Sequence, residues 1–538
     1  MPSWFKRDWP LLLLLLILIL ITYGNSLNNA FLSDDLAEIV QNPNVGNLKY
    51  AIISHPFGFI RLILYWLAFH LGGLNPAFFR SANYLLHISS VFLIYAIFNH
   101  LSSKRLALLA ASIFAVHPGI SEAVVWISGG SYPQYSFFFL LSFFFYLLSA
   151  KKRLYYLLSI IFYLLSFMSH PQMPLALFLV FPFWELCFGN FKLNWKKSIP
   201  FLTLAIAYLL INLGALPERE QTLQSVHYQE KGIDNPLILI PIAITSYLEL
   251  IFFPKTLTLY HSELVFGPVN FAIRVLITIG FLAGILFSFK KNKFIFFWLS
   301  FFLIALSPTL TPFRLNWIMA ERYLYLGVVG ILAVFGYSVI ALSEKMKFKW
   351  LNYLIIIIVI LLSARTILRN IDWKNEDNLW IATGKTSPSS PNTHNNLGDV
   401  YGRWGDKQRS LQEFQTAIAL KPNYADAYHN SANVYRELGQ LDQAISSYQN
   451  ALKFNPILWQ SYQNIAAIYF QQTQYDLALE NIQKAILINP KNINLKSNLG
   501  VIYLTLGNKD KAKEIFGLIL TADPQNQFAQ AGLAEASK

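Results

Sequence analysis

A proline recurs every 34 residues near the end of this chain, at Pro422, Pro456, Pro490 and Pro524. Tyr401, Tyr435, Tyr469 and Tyr503 keep the same step, as do the small residues Gly398, Ala432, Ala466 and Gly500. Ala417, Ala451 and Ala485 follow it too, with Ile519 departing. Such a period corresponds to one helical hairpin per repeat. The small residues let two helices cross closely, and each proline stops a second helix. Neighbouring hairpins must stack to bury a common core, which makes an α-solenoid. Four repeats are expected over 391–538, with 525–538 as a capping helix. Pro388 falls on the same step, so a degenerate half-repeat is expected within 376–388, inside a linker at 369–390.

The first 368 residues obey another rule. Only 13% of the chain is charged, its mean hydropathy is +0.41, and apolar runs approach the roughly 20 residues that cross a bilayer. An all-α polytopic membrane domain is expected there. Lys6 and Arg7 precede Leu11–Thr22 in the manner of a signal peptide, yet "TYGNSLNNA" is a poor cleavage site, so a retained signal anchor is expected. Further spans are expected near 82–100, 104–117, 131–149, 154–169, 172–188, 198–214, 270–289, 294–310, 321–342 and 351–368. Counting Pro236–Pro254 as a span would move "KKNK" (290–293) to the outer side. Treating it as re-entrant or interfacial leaves "SSKR", "KKR", "KLNWKK", "KKNK" and "KMKFK" all inside, and the count at 11. The net charge of +13 is then topological and no nucleic-acid footprint. The lone Cys187 supplies neither a disulfide framework nor a thiolate metal site. A cytoplasmic start with an odd span count puts the repeats and the first loop outside the cytoplasm.

The outer loops hold most of the polar interest. The first carries Asp34 and Asp35 in "FLSDDLAEIVQNPNV", then "HPFGFIRLILYWLAFHLGGLNP" with Arg61, expected along the membrane surface. The others hold His117 and Glu122 in "HPGISEAVVWISGGSYPQ", His170 in "SHPQMP", His261 and Glu263 in "YHSE", and Arg322 in "MAERY". Ionisable groups at membrane depth are functional by default. Adjacent carboxylates raise one pKa by repulsion, which suits a base, and Asp35 is the favoured member. "SDD" followed by Glu38 also fits a helix cap. A divalent ion at the doublet is left open, although hard cations want several more oxygens. In the repeats, Asn396, Asn430, Asn464 and Asn498 share one position on the first helix, toward the concave groove. An amide with one acceptor and two donors suits an extended peptide backbone.

The order of "FLSDD", "LGGLNPAFFRSANYLLH" (71–87), "FAVHPGISEAVVWISG" (114–129), "MAERYLYL" (319–326) and "DNLWIATGKTSPSSPNTHNNLGDVY" (377–401) resembles the transmembrane and tetratricopeptide-repeat O-mannosyltransferase family and its bacterial relatives. The membrane half resembles the wider GT-C superfamily. The asparagine row resembles that of the O-linked N-acetylglucosamine transferase repeats. The resemblance implies transfer of a hexose, mannose foremost, from a polyprenyl-phosphate donor to hydroxyls of exported proteins held by the repeats, with inversion; no cofactor is assigned, and a divalent metal stays open. It implies that Asp34 and Asp35 supply the base, that Arg322 and more loosely Arg61 meet the donor phosphate, and that the asparagines bind the acceptor. His117, Glu122, His261 and Glu263 are sugar-pocket candidates, and Tyr132 and Tyr135 stacking candidates. Where relatives often carry a basic residue and an Asp, this chain reads "GSYPQYS", and His170 stands where a Lys is common. A scaffold with an inactive membrane half, or transfer to a lipid or polysaccharide, are the alternatives. The short N-terminus favours a bacterial inner membrane over an organelle lumen.

Overall fold

The computed structural model describes residues 3–54, 58–214, 236–310, 319–347 and 350–538. The described residues form helices and loops without a strand. They divide into two compact units, one ending at Thr386 and one beginning at Ser387. The start of the expected surface segment (55–57), most of the long loop (215–235) and the stretch 311–318 lie outside the described residues.

In the first unit every expected span coincides with helix, from Ser3–Tyr23 and Pro76–Leu101 to Leu324–Met346 and Trp350–Asp372. Six described helices are long and apolar enough to cross a membrane, and a seventh arises if the bent pair Lys104–Val116 and Pro118–Val125 is one span. Five shorter apolar helices accompany them, including Leu237–Phe252 and Lys293–Thr309. The expected count of 11 therefore draws on helices that length alone does not qualify as spans.

One break organises the interior. His117 precedes Pro118, a context that disfavours helical backbone, and it is extended with φ −68° and ψ 121°. The chain bends by 62° there. Residues 117–136 run through short helical pieces into the next long helix and are buried throughout, polar residues included. Backbone this irregular at membrane depth is tolerated where protein surrounds it.

The second unit holds the hairpins Pro391–Arg403 with Lys407–Leu420, Ala425–Glu437 with Leu441–Phe454, Trp459–Gln471 with Tyr475–Ile488, and Ile493–Thr505 with Lys509–Ala522. Gln527–Ser537 comes next as the expected cap. The recurring small residue serves close packing: a Cβ on Gly398 would meet the Phe414 ring at 2.5 Å, and one on Gly500 the Phe516 ring at 2.6 Å. Each hairpin turns through a left-handed residue, at Gly405, Gly439, Thr473 and Gly507, again 34 apart. Thr473, at φ 60°, occupies a conformation that favours glycine, and is β-branched besides. The sequence about 376–388 does form a helix, Glu376–Thr386, but it belongs to the first unit, where Trp380 stacks on Tyr260 at 5.9 Å.

Candidate active site

The first loop is held by an arginine from a long helix. Arg80 is fully buried in Pro76–Leu101. Its Nε donates to the carbonyl of Val125 (2.7 Å), Nη1 to those of Leu27 (2.8 Å) and Asn29 (2.7 Å), and Nη2 to that of Ala30 (3.1 Å). A guanidinium offers five N–H donors in a rigid fork, so one side chain fastens the first loop to the broken segment after Pro118.

That clamp sets the acidic doublet. Asp35 is fully buried. Its Oδ1 accepts from the backbone N–H of Ser128 (2.8 Å) and from Ser128 Oγ (2.5 Å), and Oδ2 accepts from the Leu32 N–H (3.1 Å). Burial raises its carboxyl to about 6, outweighing these hydrogen bonds and the Arg80 charge. The expected origin, repulsion from its neighbour, is thus replaced by desolvation. Asp34 is exposed, and its charge acts on Arg61. The expected helix cap does not form. Ser33 is left-handed at φ 51°, and Asp35 makes no capping bond to the wide π-type turn Leu36–Val40. Glu38 instead pairs with Arg61 at 3.0 Å and lies 3.4 Å from Ser128 Oγ.

The raised Asp35 carboxyl has a measurable consequence. Between about pH 4 and pH 6 the folded protein keeps a proton that the unfolded chain has lost, so stability from this group falls as pH rises and is level above. The change is on the order of 3 kcal/mol. Asp35→Asn cannot titrate. In detergent, the apparent melting temperature of wild type relative to Asp35→Asn should fall from pH 4 to pH 6 and then stay constant. A constant difference throughout contradicts the buried carboxyl.

Arg322 approaches the same broken segment. Its backbone N–H donates to Glu122 Oε2 (2.9 Å) and its Nη1 to Glu122 Oε1 (2.5 Å). The guanidinium sits over the rings of Trp126 (5.5 Å) and Tyr323 (5.1 Å), a favourable cation–π arrangement. Trp126 also donates from Nε1 to the Leu32 carbonyl (3.3 Å). Ser128, Trp126 and Glu122 therefore bring the first-loop acids and Arg322 onto one short stretch. Trp126 stacks on Trp373 at 6.1 Å, and Trp373 lies against Arg369. Arg369 and Glu321, both fully buried, pair at 3.3 Å, with Asp372 on Arg369 at 3.0 Å and the Thr258 N–H donating to Glu321.

The remaining candidates divide. Glu122, expected in a sugar pocket, is instead the ion partner of Arg322. His117 is buried with both nitrogens used: Nδ1 accepts from the Gly119 N–H (3.1 Å), leaving Nε2 to donate to the Ile251 carbonyl (2.9 Å). It is a structural link at the bend and has no nitrogen left for a sugar. Tyr132 and Tyr135 pack against His170 at 4.9 and 5.7 Å, and Tyr132 against Tyr323 at 5.7 Å. His261 and Glu263 line a cavity of about 480 Å³. Among the described residues no three His, Cys, Asp or Glu side chains gather as a metal ion would need.

In the repeats the asparagines have different partners. Asn396 donates to the Asn392 carbonyl (2.7 Å) and Asn430 to Asn395 (3.1 Å). Asn464 donates to Asn433 (3.1 Å) and Tyr448 (3.0 Å) and accepts from Arg436 (3.2 Å). Asn498 is exposed. The row tethers helices to one another as well as presenting amides.

Sequence reasoning missed Arg80, Ser128, Glu38, Glu321 and Arg369 as parts of the site. A signal existed for the two arginines, since each is a cation on a helix long and apolar enough to cross a membrane. Ser128 carried none.

Family models of the tetratricopeptide repeat match residues 391–424, 413–446, 432–472 and 469–536. The chain is similar to a Caenorhabditis elegans protein O-mannosyl-transferase, at 24% identity over 461 residues, covering 77% of this chain and 63% of that one. The human protein O-mannosyl-transferase TMTC1 is 24% identical over 494 residues, covering 75% of this chain and 54% of that one. The chain thus spans between about half and two thirds of the length of these curated relatives. The repeats also align with a crystal structure of MamA protein at 22% identity and a TM-score of 0.26, covering 29% of this chain and 85% of that one.

Proposed function

We propose that this relative of the transmembrane and tetratricopeptide-repeat O-mannosyl-transferases moves a hexose from a polyprenyl-phosphate donor to hydroxyl groups of exported proteins. The observation that carries the reading is the meeting of acid and cation on residues 122–128. Asp35 binds Ser128, Arg322 binds Glu122, and Trp126 touches both the first loop and Arg322.

The chemistry needs that pairing. The acceptor oxygen forms a bond to the anomeric carbon while its proton passes to a carboxylate. The bond from that carbon to the phosphate oxygen breaks, and the phosphate leaves with the electron pair. Its growing charge needs a fixed cation. Direct displacement inverts the anomeric centre. Of the doublet, Asp34 is the member a substrate can reach, so we assign it the base. Asp35, enclosed and fully engaged, shapes the turn that presents it. This departs from the expectation that favoured Asp35. Arg322 faces the donor phosphate, with Arg61 beside Asp34 as a second cation. On this reading these groups and the repeats lie outside the cytoplasm, which the lysine-rich short loops support through the positive-inside rule, and a bacterial inner membrane is the proposed setting. The repeats hold the acceptor and raise its local concentration, with the asparagine row as the gripping surface.

Reconstitution tests the reading. Full-length protein in liposomes, supplied with polyprenyl-phosphate mannose or glucose and a Ser/Thr-rich polypeptide, should yield hexosylated peptides by mass spectrometry. Acceptor binding without transfer from either donor would favour the scaffold alternative.

A further inference from the structure

The geometry points to the cavity around His261 as a binding site for a neutral hexose ring, with His261 as its central polar contact. The inference rests on the glycosyl-transfer reading for the identity of the ligand, and it names a ring subsite that the acids and Arg322 do not supply.

Charge comes first. Arg274 lines the cavity but is committed: Nη2 pairs with both oxygens of Glu249 (3.1 and 3.0 Å), Nη1 donates to Thr245 Oγ1 (2.8 Å), and Phe266 lies 3.9 Å from the guanidinium. Lys255 and Glu263 add one charge of each sign. The walls are therefore balanced, with Glu249 and Glu263 against Arg274 and Lys255, and carry no net positive charge to draw a phosphate. A neutral ligand fits them.

Shape and polarity narrow the class. The volume, about 480 Å³, is within the range of small-molecule sites. Ser246, Thr256 and Thr258 line it together with the apolar Leu250, Leu264 and Phe266. A pyranose has a matching mixed character, with hydroxyls around its rim and C–H groups on one face.

His261 supplies the specific contact. Its Nε2 is buried and has no hydrogen-bond partner among the described residues. A buried polar atom left in that state is destabilising, and a ligand hydroxyl would satisfy it. Burial, with Arg369 and Arg322 nearby, lowers the imidazole to about 3, so it stays neutral and keeps one acceptor nitrogen. Thr258, three residues earlier, donates its N–H to Glu321, the neighbour of Arg322, and Met319 lines the cavity. A ring held here lies next to the arginine assigned to the donor phosphate.

The test uses full-length protein in detergent with methyl α-mannoside, methyl α-glucoside and inorganic phosphate as separate probes, read by saturation-transfer NMR. A hexoside signal is expected in wild type, weakened at least about 10-fold in His261→Phe and largely restored in His261→Gln. Matched melting temperatures control for folding, and where His261→Phe melts early the Gln variant and Thr258→Val carry the comparison. No hexoside signal, a signal indifferent to His261, or a His261-dependent phosphate signal instead overturns the site. A transfer assay on the same samples separates the two claims. Active wild type with donor KM unchanged in His261→Phe removes this site and leaves the enzyme reading standing. Inactive wild type that still shows His261-dependent hexoside binding does the reverse.

Discussion

Asp34→Asn is expected to lower hexose transfer by about 10²–10⁴-fold, the span that a positioned general base contributes. The side chain is exposed and isosteric with Asn, and a surface change of this kind alters stability by roughly 0.5 kcal/mol or less. The loss should therefore appear in kcat while donor KM and melting temperature stay near wild type. Asp35→Asn should behave differently. Its amide cannot accept the Leu32 N–H and the two Ser128 donors together as the carboxylate does, so its effect should reach folding and KM as well as kcat. Full activity in Asp34→Asn alongside collapse in a well-folded Asp35→Asn would return the base to Asp35 and require the site to open around it.

Arg369→Met is the second large effect, and it concerns stability. The variant leaves Glu321 fully buried without its cation, and breaking a buried pair from one side costs about 3–5 kcal/mol. The protein should melt markedly earlier in detergent and accumulate poorly. Pairing the change with Glu321→Gln removes the stranded charge, and the double variant should recover most of the loss, since contacting residues do not act additively. A single variant costing less than about 1 kcal/mol would mean that solvent reaches the pair and that the Arg369–Trp373–Trp126–Arg322 stack is not a dry core.

Much of this architecture can be read from the chain. The solenoid announces itself because its positions obey one spacing, and even the left-handed turn residue does so once Gly405, Gly439 and Gly507 are aligned with Thr473. The helices of the first unit follow from apolar runs. The acids and Arg322 stand out because charge is scarce where they lie. The misses share a cause. Arg80 is answered by four carbonyls, which every residue possesses and no pattern marks. Ser128 matters only because folding carries it to Asp35. "SDD" imitates a cap because local spacing is the same, while the carboxylate turns back to Leu32 and across to Ser128. The asparagine period is plain in sequence, yet the neighbours of Asn430 and Asn464 are set by the stacking of hairpins.

Under the proposed glycosyl-transfer reading, the Arg80 clamp bears on how the protein would work from one turnover to the next. Restraining a loop residue costs about 1–2 kcal/mol of conformational entropy, and four carbonyls tied to a long rigid helix incur that cost once, during folding. On that reading the acidic turn would meet each donor already shaped, encounter would require no further ordering of it, and more of the binding energy would be left to lower the barrier itself.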